Sequence, residues 1–82
     1  MSVSMYWYKP PSARKELGSS YDIKWPIAKR WGQMDGSCHE NFMLDESAVP
    51  FLEGLLASGH YPDAEKLIED IRKYGSVEVE YK

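Results

Sequence analysis

The sequence contains a single cysteine, Cys38, so an internal disulfide is excluded. Secreted domains of this size commonly depend on several disulfides, and we therefore expect this chain to work in a reducing cytoplasm. Its first eight residues lack a basic start followed by an apolar run. No stretch approaches the roughly 18 apolar residues of a membrane span. The composition thus favours neither a secreted scaffold nor a membrane protein.

Runs of basic residues are also absent, and the formal net charge is −3. Residues 1–41 hold six basic and four acidic side chains, whereas residues 42–82 hold four basic and nine acidic ones. Lysine and arginine contacts to phosphates supply most of the affinity of duplex-binding proteins. We therefore expect no binding to duplex nucleic acid, and an acidic C-terminal half that faces water or a basic protein.

Catalytic signatures are missing as well. The chain has no phosphate-binding glycine loop, hydrolase elbow or paired Cys-x-x-Cys. Residue types that bind metals or act as nucleophiles occur at Asp35, Cys38, His39, Glu40, Asp45 and His60. Their spacing does not match paired zinc ligands, and neighbours such as Cys38 and His39 usually point in different directions. We predict no catalytic residue, metal or cofactor; a small metal-binding or Cys-dependent enzyme around Cys38, His39 and His60 is the weakest alternative.

The last third of the chain carries the clearest structural pattern. Apolar residues recur with helical spacing on both sides of Gly59, and they alternate with a period of two after Gly75. Asp45 or Ser47 can cap the first predicted helix, which ends at Gly59, and Pro50 in its first turn favours Ser47. Pro62 opens the second helix, and the final strand is predicted over residues 76–82. The predicted inward positions are Val49, Leu52, Leu55, Leu56, Ala64, Leu67, Ile68, Ile71, Tyr74, Val77, Val79 and Tyr81.

The first half of the chain predicts shorter elements. Residues 3–8 alternate as a strand, residues 12–21 indicate a connecting loop, and residues 41–44 are expected to form a short strand. A short helix is expected over residues 26–31, because Pro26 suits its first turn and Gly32 its end. Strands at both ends of a small chain usually share one sheet. We therefore predict one α+β domain of two layers, residues 1–82, with a C-terminal helix hairpin and this short helix packed on the sheet.

Aromatic and basic residues are interleaved in the first 31 positions. The aromatic residues are Tyr6, Trp7, Tyr8, Tyr21, Trp25 and Trp31, and the basic ones are Lys9, Arg14, Lys15, Lys24, Lys29 and Arg30. Such a set either fills a small core or anchors a protein interface, with stacking on single-stranded nucleic acid as a further possibility. Alternation places Tyr6 and Tyr8 opposite Val3, Met5 and Trp7. Tyr6, Tyr8 and Arg30 are therefore the predicted partner-binding residues of this half.

A second candidate surface is acidic. It comprises Asp63, Glu65, Glu69, Asp70, Glu78 and Glu80. We expect a non-enzymatic protein–protein interaction module that binds another protein or a second copy of itself, through the aromatic and basic face or through Glu65, Glu69 and Asp70. The alternative is an inhibitor whose acidic surface imitates nucleic acid and blocks a DNA- or RNA-handling enzyme. In size and composition the chain resembles small accessory proteins of bacteria and their phages.

Overall fold

The computed structural model of the protein describes residues 3–10, 15–31 and 42–82. The elements are β1 (Met5–Tyr8), β2 (Glu16–Ser20), α1 (Lys24–Trp31), β3 (Phe42–Asp45), a short 3₁₀ turn (Glu46–Ala48), α2 (Val49–Ala57), α3 (Ala64–Tyr74) and β4 (Ser76–Tyr81). Within these ranges no helix is both long and apolar enough to cross a bilayer. The predicted α+β architecture, with helices packed on an antiparallel sheet, is confirmed.

The four strands form one antiparallel sheet in the order β2-β1-β4-β3. The first and last strands of the chain are direct neighbours, with Met5 opposite Tyr81 and Trp7 opposite Val79. The backbones of Ser4 and Lys82 extend this pairing by two hydrogen bonds of 3.0 Å. Strands from the two ends of the chain share one sheet, as predicted, and the structure places them at its centre.

One face of the sheet carries the core. Met5, Trp7, Val77, Val79 and Tyr81 point to this inner face and are at most 1% exposed. The helices cover these side chains with one residue from α1 and several from α2 and α3, namely Ile27, Val49, Leu52, Ala64, Leu67, Ile68 and Ile71. The predicted inward stripes are confirmed at these positions. Leu55, Leu56 and Tyr74, at the ends of those stripes, are only half-buried.

The residues at the end of α3 explain why the helix hairpin stops there. Gly75 adopts a φ of 86°, a left-handed conformation that is unfavourable for residues with a Cβ. Its N–H donates to the Ile71 carbonyl at 2.7 Å. Arg72 and Lys73 lie in the last turn of α3, where the helix dipole favours positive charge. Because α3 ends at this point, β4 begins directly after it and packs against α3.

The loop predicted over residues 12–21 is wrong in part, because residues 16–20 form strand β2. This strand pairs with β1 so that Gly18 lies opposite Trp7. A Cβ built on Gly18 would lie 2.5 Å from Trp7 Cζ2. Glycine, a loop signal in the sequence, is here required by a tryptophan ring that lies against the strand.

The predicted helix starts are also corrected. Asp45, the other candidate, caps the 3₁₀ turn, since its Oδ1 accepts the Ser47 backbone N–H at 2.9 Å. Helix α2 follows Ala48 and has no side-chain cap, so the prediction of Ser47 as its cap is wrong. Hydrogen bonds from the Ser47 side chain and backbone lower the pKa of Asp45. Pro50 lies in the first turn of α2 as predicted. Pro62 precedes α3, which begins at Ala64, and its carbonyl accepts the Glu65 N–H at 3.2 Å.

Two glycines provide a matched test of the contact between β2 and Trp7. Gly18→Ala forces its methyl group into the buried indole, and we expect it to lower the free energy of unfolding by about 1–3 kcal/mol. Gly54→Ala lies inside α2 with no atom within 4 Å of the new Cβ. It should raise stability by about 0.5–1 kcal/mol through helix propensity. Urea unfolding of both variants measures these changes, and a stabilised Gly18→Ala protein would contradict the packing.

The Tyr81 hydroxyl generates a second prediction. This hydroxyl is buried, and no described residue hydrogen-bonds to it. Burial raises the pKa of Tyr81 to about 12 from an ordinary value of 10.0. Below pH 10 the phenol is protonated in both the folded and unfolded states. Between pH 10 and pH 12 it ionises only in the unfolded chain, so stability should fall by about 1.4 kcal/mol per pH unit from this group.

Tyr81→Phe removes this contribution. We expect the variant to be no less stable than the parent at pH 8, because it removes an unsatisfied buried hydroxyl. Its stability should also decline less steeply between pH 10 and pH 12. Urea unfolding across this pH range provides the measurement, with Tyr61→Phe as the control that removes a half-buried phenol. Equal pH slopes for Tyr81→Phe and the parent protein would show that Tyr81 ionises as readily in the folded state.

Candidate functional site

The outer face of the sheet holds the two tyrosines predicted as surface anchors. Tyr6 is half-buried, whereas Tyr8 is only 4% exposed, so Tyr8 is not the surface residue that its alternation suggested. The Lys82 ammonium lies 5.4 Å from the Tyr6 ring centroid and 5.6 Å from that of Tyr8. A hydrogen bond with Tyr8 and the charge of Glu80 raise the pKa of Lys82. Neighbouring side chains of the same face therefore engage these rings.

Asp70 was predicted as an acidic residue of the surface, but this is wrong, because the residue is buried with an exposed fraction of only 3%. Its Oδ2 accepts the Trp7 indole N–H at 2.8 Å, and its Oδ1 accepts Lys66 Nζ at 2.9 Å. This hydrogen bond to Asp70 raises the pKa of Lys66. Asp70 therefore joins α3 to the sheet, whereas Glu65 and Glu69 lie exposed on the same helix as predicted.

Arg30, the predicted basic anchor, is exposed at the edge of a groove between α1 and α2. The groove has a volume of about 470 Å³. Its lining residues are Pro26, Lys29, Arg30, Phe51 and Leu55. Three of these five are apolar, and both of the others are cationic. The site therefore combines an apolar floor with positive charge.

Local sequence explains how α1 forms one wall of the groove. Pro26 lies in the first turn of α1, where the loss of its backbone donor breaks no helical hydrogen bond. Residues three and four apart share a helix face, so Lys29 and Arg30 lie one turn beyond Pro26. Ile27, which lies between them in sequence, is fully buried in the core. Pro26, Lys29 and Arg30 line the groove that α1 forms with α2.

An aromatic contact sets how α1 and α2 pack. Trp31 and Phe51 meet edge to face, with ring centroids 5.3 Å apart and planes at 88°. Both side chains are half-buried. Rings packed in this geometry contribute roughly 0.5–1.5 kcal/mol beyond their burial. The large rings hold the helices side by side at the base of the groove and leave Leu55 accessible along α2.

The two cations of the groove have no acidic partner in the part of the chain that the structure describes. Among the described residues, no carboxylate forms an ion pair with Lys29 or Arg30. The Arg30 guanidinium carbon lies 5.2 Å from the Trp31 ring centroid, within the range of a cation–π contact. Helix α1 carries no acidic residue. The groove is therefore a positively charged site on a chain whose net charge is negative.

A smaller groove of about 250 Å³ lies between α2 and α3. It is lined by Glu53, Leu56, Glu65, Ile68, Glu69 and Arg72. Arg72 and Glu53 form a 3.3 Å ion pair between the two helices. This surface carries both signs of charge, so the predicted acidic face is interrupted.

The residues predicted to form one aromatic and basic surface are divided by the sheet. Tyr6 lies on the outer face, whereas α1 contributes Ile27 to the core on the inner face. Sequence reasoning also overlooked Pro26 and Phe51 as site residues, named Lys29 only within the wider aromatic and basic set, and assigned Leu55 to the core alone. Phe51 and Leu55 are spaced i, i+4, and this second apolar stripe of α2 was the signal that could have located the groove.

The alternative site around Cys38 and His39 lies outside the described residues, as do Asp35 and Glu40. His60 is exposed, and its backbone N–H donates to Ser58 Oγ at 3.2 Å. Within residues 3–10, 15–31 and 42–82, no group of three metal-binding side chains occurs. The metal-binding alternative stays a prediction.

No protein-family model matches this chain, and neither the curated proteins nor the solved structures yield a significant match. The function is therefore inferred from the geometry and charge of this chain alone.

Asp70 and Glu69 are adjacent on α3 but should respond differently to substitution. Asp70→Ala leaves the Trp7 indole N–H buried without its acceptor, and we expect a loss of about 2 kcal/mol in unfolding free energy. Glu69→Ala on the exposed side should change stability by less than about 0.5 kcal/mol. Urea unfolding compares them, with Asp70→Asn as an intermediate variant because its amide oxygen can still accept. Similar losses for Asp70→Ala and Glu69→Ala would remove the structural role assigned to Asp70.

Proposed function

We propose that this chain is a non-enzymatic protein–protein interaction module and that the groove between α1 and α2 is its binding site. The partner is a short segment of another protein that combines acidic and apolar side chains. One observation carries the proposal, namely an apolar groove bordered by two cations that no described carboxylate neutralises. The single cysteine of the chain is consistent with a protein that functions in a reducing cytoplasm.

The size of the groove favours a short segment. Its shorter wall, α1, has eight residues and is therefore roughly 12 Å long. About two turns of a partner helix span this distance, and the volume of about 470 Å³ accommodates a few apolar side chains. Amphipathic helices commonly bind hydrophobic grooves in this manner, with anchors at i and i+3 or i+4.

Charge identifies the chemistry of the partner. Apolar anchors alone would fill the floor formed by Pro26, Phe51 and Leu55. Lys29 and Arg30 lie beside this floor without a counter-charge from the described residues, so carboxylates flanking the anchors would complete the electrostatics of the site. Complementary charge of this kind accelerates association and excludes partners of the wrong sign. The groove thus favours acidic amphipathic segments over basic ones.

A second copy of the chain is less suitable as the ligand. The exposed acidic residues of α3, Glu65 and Glu69, line the smaller groove beside Leu56, which is half-buried, and Ile68, which is buried. A copy that presented this helix would offer carboxylates with little accessible apolar surface. We therefore expect an external partner and not a homo-oligomer.

The nucleic-acid-mimicking inhibitor has weaker support. Such a mimic needs a continuous array of carboxylates, but Asp70 is buried and Lys66, Arg72 and Lys73 separate the exposed acids of α3. Binding of single-stranded nucleic acid to the cationic groove is a competing activity. It is distinguished by the experiment below.

The test is a peptide-display selection against the purified protein. Peptides enriched on the parent chain should contain acidic residues and apolar residues at helical spacing. The double variant Lys29→Glu/Arg30→Glu should bind the enriched peptides at least about tenfold more weakly, which corresponds to about 1.4 kcal/mol. Fluorescence anisotropy of labelled peptides measures the affinities, and each affinity should weaken as salt concentration rises.

The matched control is Lys15→Glu/Lys73→Glu, which makes the same change in net charge at two exposed lysines outside the groove. This control should retain peptide binding. Loss of binding in both double variants would indicate general electrostatics and not the groove. Enrichment of basic peptides, or tighter binding of a single-stranded oligonucleotide than of any selected peptide, would overturn the proposal.

A further inference from the structure

Lys24 is a buried lysine, with an exposed fraction of 1%. Its ammonium lies 3.4 Å from the Tyr21 ring centroid and 4.8 Å from the Trp25 ring centroid, and it donates to the Val3 carbonyl. No carboxylate among the described residues pairs with this ammonium. Because a buried charge without a partner is costly, the two rings and the carbonyl provide its stabilisation.

The two rings that contact Lys24 are themselves exposed. Tyr21 and Trp25 are 50% and 54% exposed, and together with Met43 they are the large apolar side chains that face solvent in the described ranges. Free aromatic side chains on a surface exchange between rotamers. Here the buried ammonium attracts both rings from the protein side and favours one arrangement. Preorganised tyrosine and tryptophan side chains bind partners at low entropic cost and dominate interface energetics.

The pair of rings adjoins the proposed groove. Trp25 directly precedes Pro26, which lines the groove, and it lies four residues before Lys29 on α1. Residues at this spacing are neighbours on a helix surface. A segment bound in the groove and running toward the N-terminal end of α1 therefore reaches Trp25 and Tyr21.

We infer that Tyr21 and Trp25, held by Lys24, form a rigid aromatic platform that extends the groove and binds an uncharged apolar side chain of the same acidic partner. This inference depends on the proposed function and names a second part of its site. Lys24 acts as a positioning residue, since its ammonium is covered by the rings. Tyr21 and Trp25 make the contact with the partner.

Lys24 also determines which charge the platform accepts. An aromatic ring attracts cations through its electron-rich faces, but the face toward the protein already holds an ammonium. A second cation on the solvent side would be repelled by Lys24 and by Lys29 one turn away. The platform therefore disfavours lysine, arginine and methylated lysine side chains, and it accepts neutral apolar groups beside carboxylates. This selectivity matches that of the groove.

Indole NMR tests the platform without a protein partner. The chain has three tryptophans, so an ¹⁵N-labelled sample gives three indole N–H signals, of which Trp25→Phe identifies one. In the parent protein we expect the Trp25 indole to show relaxation close to that of the backbone. Lys24→Met should make this indole mobile on the nanosecond timescale. Lys29→Met removes a cation from the same helix and should leave the Trp25 indole rigid.

Small probes of matched shape then test the charge preference. The probes are 3-phenylpropionate, 3-phenylpropanol and 3-phenylpropylammonium, each titrated while the Trp25 indole signal is followed. The cationic probe should bind at least about fivefold more weakly than the other two, a difference the size of one exposed cation–π interaction. In Lys24→Met this preference should shrink. Lys24→Gln repeats the test with a side chain that can still donate to the Val3 carbonyl.

The outcomes separate this inference from the proposed function. A Trp25 indole that is equally mobile with and without Lys24, or a cationic probe that binds as tightly as the anionic one, would overturn the platform. If the display selection yields no acidic peptide while the indole and probe results are as expected, the groove proposal fails and the platform's charge preference stands. Trp25→Ala should weaken binding of a selected acidic peptide several-fold, and unchanged binding would show that the platform lies outside the peptide site.

Discussion

The hydrogen bond between the Trp7 indole and Asp70 joins the two layers of this domain at a buried position. Trp7 lies on β1 within the sheet, and Asp70 lies on α3 above it, 63 residues later in the chain. The indole needs an acceptor once it is buried, and the carboxylate needs donors, which Trp7 and Lys66 both supply. Gly18 leaves room for the ring on the neighbouring strand. Sheet pairing, helix orientation and the placement of glycine thus depend on one side chain.

The same layer arrangement explains why a groove exists beside α2. Leu52 and Val49 fix one side of α2 in the core, and α3 packs along a second side. Helix α1 is short and contacts α2 through the Trp31 and Phe51 rings, so it does not cover Leu55 fully. A small domain buries a limited fraction of its apolar surface, and here Phe51 and Leu55 remain only half-buried. These two side chains adjoin the cations of α1.

The three tryptophans show where sequence reasoning stops. Trp7 is buried, Trp31 is half-buried and Trp25 is 54% exposed, although all three lie among similar aromatic and basic neighbours in the first 31 residues. Alternation correctly assigned Trp7 to the inner face. Trp31 packs against Phe51, and Trp25 contacts the Lys24 ammonium. Only the first of these partners is distant in sequence, but neither contact follows from a periodic pattern.

Local sequence determined the helix hairpin and the strands at the two ends of the chain, because helical and alternating periods, a proline in a first turn and Gly75 each act over a few residues. Tertiary structure decided which polar residues are surface groups. Asp70 and Glu69 are neighbours with equivalent carboxylates, and only the indole of a distant strand makes one of them structural. It likewise made a strand of residues 16–20, whose own pattern is weak, through pairing with β1. Tertiary structure also decided the groove, because its floor and its cations come from helices that meet only in the folded domain.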